Sequence, residues 1–131
     1  MKKLTLLLVI IFTFLFSTTS WGEWSLVTEN VGGKSYYDKD RVRKSGKSLY
    51  FWMLLDFLKP IKGDLSFTSY TQLDCSIFRY KTLRFQTYNK SMGRGIMTTD
   101  KTPKGERGEW KYPQPESTFE IMFNKICEEQ Q

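Results

Sequence analysis

The chain contains no histidine. That removes the commonest general base near neutral pH, the serine–histidine and cysteine–histidine nucleophile arrangements, and most zinc sites. Cysteine is scarce as well. Cys75 and Cys127 are the only two, and there is no Cys-x-x-Cys spacing to favour redox chemistry or metal binding. Long apolar runs are missing: the stretch from Leu4 to Phe16 is thirteen residues, with Thr5 and Thr13 inside it. A membrane-crossing helix needs about 20 apolar residues. Asp38-Lys39-Asp40 opens like a calcium loop, but Val42 stands at the next ligand position and no glycine-plus-glutamate completion follows. Gly93-Arg94-Gly95 lacks the strand–turn–helix setting of a dinucleotide site. No metal site and no cofactor are expected.

What the first residues do contain is an address. Lys2 and Lys3 precede the apolar run, and the small-residue stretch Ser17-Thr18-Thr19-Ser20-Trp21-Gly22 follows it. Basic end, apolar middle and small-residue tail are the layout of a secretory signal peptide. Residues 1–22 are therefore read as a leader and residues 23–131 as one domain. Ser20 and Gly22 fit the small positions for cleavage after Gly22; cleavage after Ser20 would use Thr18 and Ser20 instead. The tail carries no cysteine for lipid attachment. The expected location is outside the cytoplasm, in the periplasm first, with the cell surface or the medium as alternatives.

An exported chain meets oxidising conditions, so its two cysteines are expected to pair. With two thiols there is a single intramolecular connectivity, Cys75–Cys127. The net charge of +6 includes the two leader lysines. The remaining excess is mild and compatible with anionic partners such as polysaccharide, lipid headgroups or acidic proteins; nucleic acid is not expected for an exported protein.

The domain reads as strands followed by one helix. Trp24-Ser25-Leu26-Val27-Thr28 alternates apolar and polar, the signature of a half-buried strand. Lys34 to Asp38 continues the pattern after the turn Asn30-Val31-Gly32-Gly33. Leu49, Phe51, Met53, Leu55 and Phe57 mark one face of a central strand. Tyr50, Trp52, Leu54 and Leu58 mark the other, with Asp56 among them, and Pro60 and Gly63 end it. A buried charge must be paired, so Asp56 is expected at an edge position or in a salt bridge to a neighbour such as Arg79 or Arg84, with a binding-site anchor as the alternative. Leu65 to Cys75 and Ile77 to Tyr88 supply two more strands, and Gly93 to Thr98 a sixth. The inner face of the Ile77–Tyr88 strand is ambiguous, since Ile77/Leu83/Phe85 and Phe78/Tyr80/Tyr88 compete for it. A break between Arg79 and Leu83 fits a bulge, which shifts side-chain phase. At the end, Ser117 to Glu120 fits a capping box, and Phe119, Met122, Phe123 and Ile126 form one apolar helical stripe with Cys127 beside it. The expected fold is α+β: a single antiparallel sheet of about six strands, with a C-terminal helix on one face tied down by the disulfide.

Further landmarks carry a resemblance. In order they are Trp24, Tyr37-Asp38, Val42, Gly46, Trp52-Met53-Leu54-Leu55-Asp56-Phe57, Ser66, Asp74-Cys75, Arg79, Leu83, Tyr88, Gly93, Trp110, Pro115, Ser117 and Cys127. The domain resembles the surface-adhesin protein E family over nearly its whole length. The resemblance implies an antiparallel sheet with a C-terminal helix and a role in adhesion, since the founding member is an outer-surface lipoprotein that binds host matrix and serum proteins. The present chain departs from it in lacking the lipid-attachment cysteine. The functional expectation is a non-enzymatic, adhesin-like binding protein of the cell envelope. Its partners would be host matrix proteins, envelope proteins or anionic glycans. Tyr80, Arg84 and Tyr88 are the candidate binding residues, provided that they share an exposed face. Alternatives are an accessory protein that acts through a sheet edge, and a histidine-free envelope enzyme.

Overall fold

The computed structural model describes residues 23–104 and 108–131, so the leader assigned to residues 1–22 lies outside the described residues. Seven strands form one antiparallel sheet: β1 (Ser25–Asn30), β2 (Gly33–Tyr37), β3 (Arg43–Ser45), β4 (Ser48–Ile61), β5 (Asp64–Asp74), β6 (Arg79–Tyr88) and β7 (Met97–Lys101). Their order is β1-β2-β4-β5-β6-β7, with β3 also on β4. Helix α1 (Thr118–Gln130) closes the chain. The expected antiparallel sheet with a C-terminal helix is observed. The added strand is β3, which continues the line of β2 along β4 after the 3-10 turn Lys39–Arg41. The last strand starts at Met97 because a turn at Ser91–Gly93 occupies part of the segment read as a strand.

Period-two alternation sorts the long strands into two faces. Leu49, Phe51 and Met53 of β4, Leu73 of β5 and Tyr37 of β2 are buried against Met122, Phe123 and Ile126 of α1. The Phe123 ring lies 4.9 Å from that of Tyr80 and 6.4 Å from that of Phe51, and stacks on Phe119 at 5.8 Å. Cys75, just past the end of β5, is bonded to Cys127 with 5.9 Å between Cα atoms, so the helix is covalently held to the sheet. Ser117 caps α1 by accepting from the Glu120 N–H. The Glu120 carboxylate reaches Glu116 N–H instead of that of Ser117, whose N–H is already donated to the Gln114 carbonyl.

A bulge in β6 decides the ambiguous strand. Tyr70 of β5 pairs with Arg84 and Thr71 with Thr82, which leaves Leu83 as the extra residue. Tyr80 and Thr82 therefore share the helix side with Phe85, whereas Arg84, Gln86 and Tyr88 point to the opposite, open face. Both competing readings are correct, each for half of the strand. Gly33 is fixed by backbone: a Cβ there would lie 2.0 Å from the Asp56 carbonyl oxygen across the β2–β4 pair.

Candidate functional site

The open face carries a row of aromatic rings. Trp52 of β4 lies 5.2 Å from Tyr70 of β5, and Tyr70 lies 6.5 Å from Tyr50. The Arg43 guanidinium sits 4.5 Å over the Tyr50 ring, closing that end of the row. At the other end, beside Trp52, the face deepens into a cleft of about 700 Å³. Trp24, Trp52, Tyr88 and Met92 give it apolar walls, while Asp38, Arg41 and Arg94 bring charge to it.

Two irregular segments build the walls. On one side the Lys39–Arg41 turn is pinned when Asp38 N–H donates to the Trp52 carbonyl at 3.0 Å. This places the Asp38 side chain at the cleft with only 6% of the residue exposed. Asp38 Oδ2 is 3.8 Å from Arg41 Nε; Oδ1 is buried with no hydrogen-bond partner among the described residues. On the other side the segment between β6 and β7 folds back over the sheet. Met92 N–H donates to Asp56 Oδ1 at 2.9 Å. Ser66 Oγ accepts from Gly93 N–H and donates to the Lys90 carbonyl. Met92 and Gly93 both have positive φ, +62° and +68°, so the turn is a left-handed kink, which glycine adopts at no steric cost and methionine at some. Asp56 therefore serves a backbone amide. The cations expected to pair with it are engaged elsewhere: Arg79 at 3.5 Å from Asp74, and Arg84 in a two-bond fork on Asp100.

The three candidate binding residues are divided by the bulge. Tyr80 is packed against Phe119 and Phe123 beneath the helix, and burial raises its phenol pKa. It does not reach the open face, because each strand residue before Leu83 is out of phase with those after it. Tyr88 lines the cleft and donates its hydroxyl to Gln86 Oε1 at 3.0 Å. Arg84 is on the same face opposite Tyr70, with its guanidinium bonded to the Asp100 carboxylate at 2.6 and 2.9 Å. That bond holds the Asp100 carboxyl below the usual range and raises Arg84.

Several cleft residues gave no sequence signal. Asp38 closes the segment Lys34 to Asp38 and opens an incomplete calcium loop, Trp24 opens a half-buried strand, Arg94 falls in the segment Gly93 to Thr98 read as a strand, and Met92 lies just before it. They meet because two turns distant in sequence fold onto one sheet face. A second, shallower hollow of about 360 Å³ lies on the helix side, lined by Phe67, Phe85 and Tyr80 among others. Among the described residues no group of acids and cysteines could hold a metal ion, and no helix is long and apolar enough to cross a membrane.

The family model for surface-adhesin protein E matches residues 24–128. Among solved structures, Haemophilus influenzae protein E superposes with a TM-score of 0.60 at 17% identity, covering 86% of this chain and 89% of that one. Protein E from non-typeable Haemophilus influenzae gives 0.56 at the same identity, covering 85% and 79%. At this identity the likeness speaks for the fold. No curated protein matches the chain. The chain belongs to the surface-adhesin protein E family.

Proposed function

We propose that this member of the surface-adhesin protein E family is a non-enzymatic binding protein of the cell envelope, and that its open-face cleft holds an acidic glycan. The cleft lining carries the reading. Apolar ring faces at Trp24 and Trp52 suit the C–H face of a sugar. The buried, unpartnered Asp38 Oδ1 suits a hydroxyl donor. Arg94 suits carboxylate or sulfate groups. Asp38 is the single carboxylate of the lining, which favours holding a ligand over paired-carboxylate chemistry. The basic, apolar and small-residue order of residues 2–22, with no cysteine in 17–22, supports export to the periplasm.

Titration with a heparin octasaccharide, read by tryptophan fluorescence and calorimetry, tests this. Saturable binding is expected, at least tenfold weaker in Trp52→Ala and in Arg94→Ala, and weaker in high salt. Arg84→Ala, with its guanidinium already held by Asp100, is expected to have a smaller effect. Equal affinity in the parent and Trp52→Ala would exclude the cleft. Absence of binding would exclude the acidic glycan.

A further inference from the structure

A different part of the molecule presents a second kind of surface. The β1–β2 turn, the β4–β5 turn and the segment between β6 and β7 all lie at one end of the sheet. Leu58 N–H donates to the Gly32 carbonyl at 2.9 Å, which sets the first two turns side by side. Thr98 Oγ1 donates to Asp64 Oδ1 at 2.6 Å, which sets the third beside them.

This end carries a concentration of exposed apolar side chains. Val31 is 97% exposed, Leu58 71%, Ile96 69% and Ile61 54%. Local chemistry forces them out. Asp56 pairs with Ser66 and Ile61 with Asp64, so β4 runs residues 57–60 against Leu65 alone and bows out of the ladder. Pro60, with no N–H to donate, sits in that bow. Lys62 and Gly63 then close the hairpin, both at positive φ, which fixes Ile61 at the tip.

Cations surround these side chains. Lys59, Lys62 and Lys90 are exposed at this end, and none is in an ion pair among the described residues. The nearby carboxylates are each held by a hydrogen bond or an ion pair, and, with Lys34 counted, they are outnumbered by the lysines. Asp56 accepts from Met92 N–H, Asp64 from Thr98, and Glu29 faces Lys34. Apolar tips ringed by free cations match an anionic bilayer: the tips enter the headgroup layer and the cations meet phosphates. A second copy of the chain fits poorly here, since a symmetric contact would press like charges together.

We infer that this three-turn end docks on the surface of an anionic phospholipid membrane, independently of whatever the cleft holds. Co-sedimentation with vesicles tests it. Vesicles of phosphatidylcholine alone are compared with vesicles containing one part phosphatidylglycerol to two of phosphatidylcholine. The proteins are the parent, Leu58→Ser/Ile61→Ser and Lys59→Glu/Lys62→Glu, all with the same N-terminus, so differences report the tip. The parent is expected to partition to anionic vesicles at least tenfold better than to neutral ones. The lysine variant is expected to lose about 25-fold or more, as about fivefold per lysine near an anionic surface implies, and Leu58→Ser/Ile61→Ser roughly tenfold or more from the lost burial of its apolar tips. These side chains are exposed, so unchanged melting temperatures confirm that folding is intact. Equal partition of parent and both variants overturns the inference. Loss in the lysine variant alone reduces it to charge attraction and overturns insertion. Concentration-dependent self-association of the parent, abolished by Leu58→Ser/Ile61→Ser, assigns the tips to a second copy and also overturns it.

Discussion

The two faces of the sheet use the same kind of residue to opposite ends. Beneath the helix, Phe51, Tyr37, Tyr80, Phe119 and Phe123 pack ring against ring, and Phe51 and Phe123 expose no surface. On the open face Tyr50, Trp52 and Tyr70 also approach ring to ring, yet each keeps part of its surface accessible. The helix makes the difference, because it covers one face and is held there by a covalent bond. Aromatic content therefore does not distinguish core from site in this fold. What distinguishes them is whether the covering element is a helix with its own apolar stripe or a pair of polar turns that leave a gap.

Breaking the covering element should have the largest effect. The Cys75–Cys127 bond closes a separation of 52 residues. The chain-entropy model gives about 4 kcal/mol for a loop of that size, a large share of the 5–15 kcal/mol typical of a domain. Cys127→Ser is expected to lower the urea midpoint by a matching amount and to render the helix face accessible to hydrophobic dyes. A midpoint within experimental error of the parent's would show that the stripe alone holds the helix.

A smaller effect separates the faces directly. Phe123→Ala removes a ring with no exposed surface and leaves a cavity between α1 and the sheet; such changes cost about 3–5 kcal/mol. Trp52→Ala removes a larger ring from a partly open position and is expected to cost less, in spite of its size. Denaturant titration of both variants checks this. A larger loss for Trp52→Ala would mean that the open face, too, is a core.

How much of this was legible in the sequence follows the same division. The helix, its cap, the disulfide and the central strand each rest on local periodicity or on a count of two cysteines, so residues 49–57 and 117–127 could be read without neighbours. The split of Tyr80 from Arg84 and Tyr88 could not. One extra residue, Leu83, inverts the phase, and only pairing with β5 shows where it is inserted. The cleft was less legible still. Trp24, Asp38, Trp52, Tyr88 and Arg94 come from five separate stretches of chain, and no spacing rule links them. Asp56 shows the limit from the other side: burial called for a partner, but the partner is the backbone N–H of Met92, which carries no side-chain signal.

The smallest expected effect is a pH dependence confined to the helix face. Tyr37 is buried at the sheet–helix junction; its hydroxyl donates to the Glu129 carboxylate and accepts from Gln130 Nε2 at 3.3 Å. Burial first, and the Glu129 carboxylate second, push the Tyr37 phenol up to about 12 from an ordinary value of 10.0. The unfolded chain then releases this proton near pH 10, while the folded chain keeps it until about pH 12. The folded state binds more protons over that interval, so stability falls as pH rises through it. The contribution is complete below pH 10, declines from there to about 12, and is gone above. Other groups titrate in the same range, so the difference between two proteins isolates this one. Tyr37→Phe, compared with the parent in urea midpoints at pH 9, 10 and 11, is expected to lose part of its stability at pH 9 but to decline less steeply between pH 10 and 11. Trp52→Phe, on the open face, is expected to keep the parental steepness. Parallel curves for Tyr37→Phe and the parent would mean that Tyr37 ionises in the folded state as readily as in the unfolded one, and that the junction of β2 with the end of α1 is open to water.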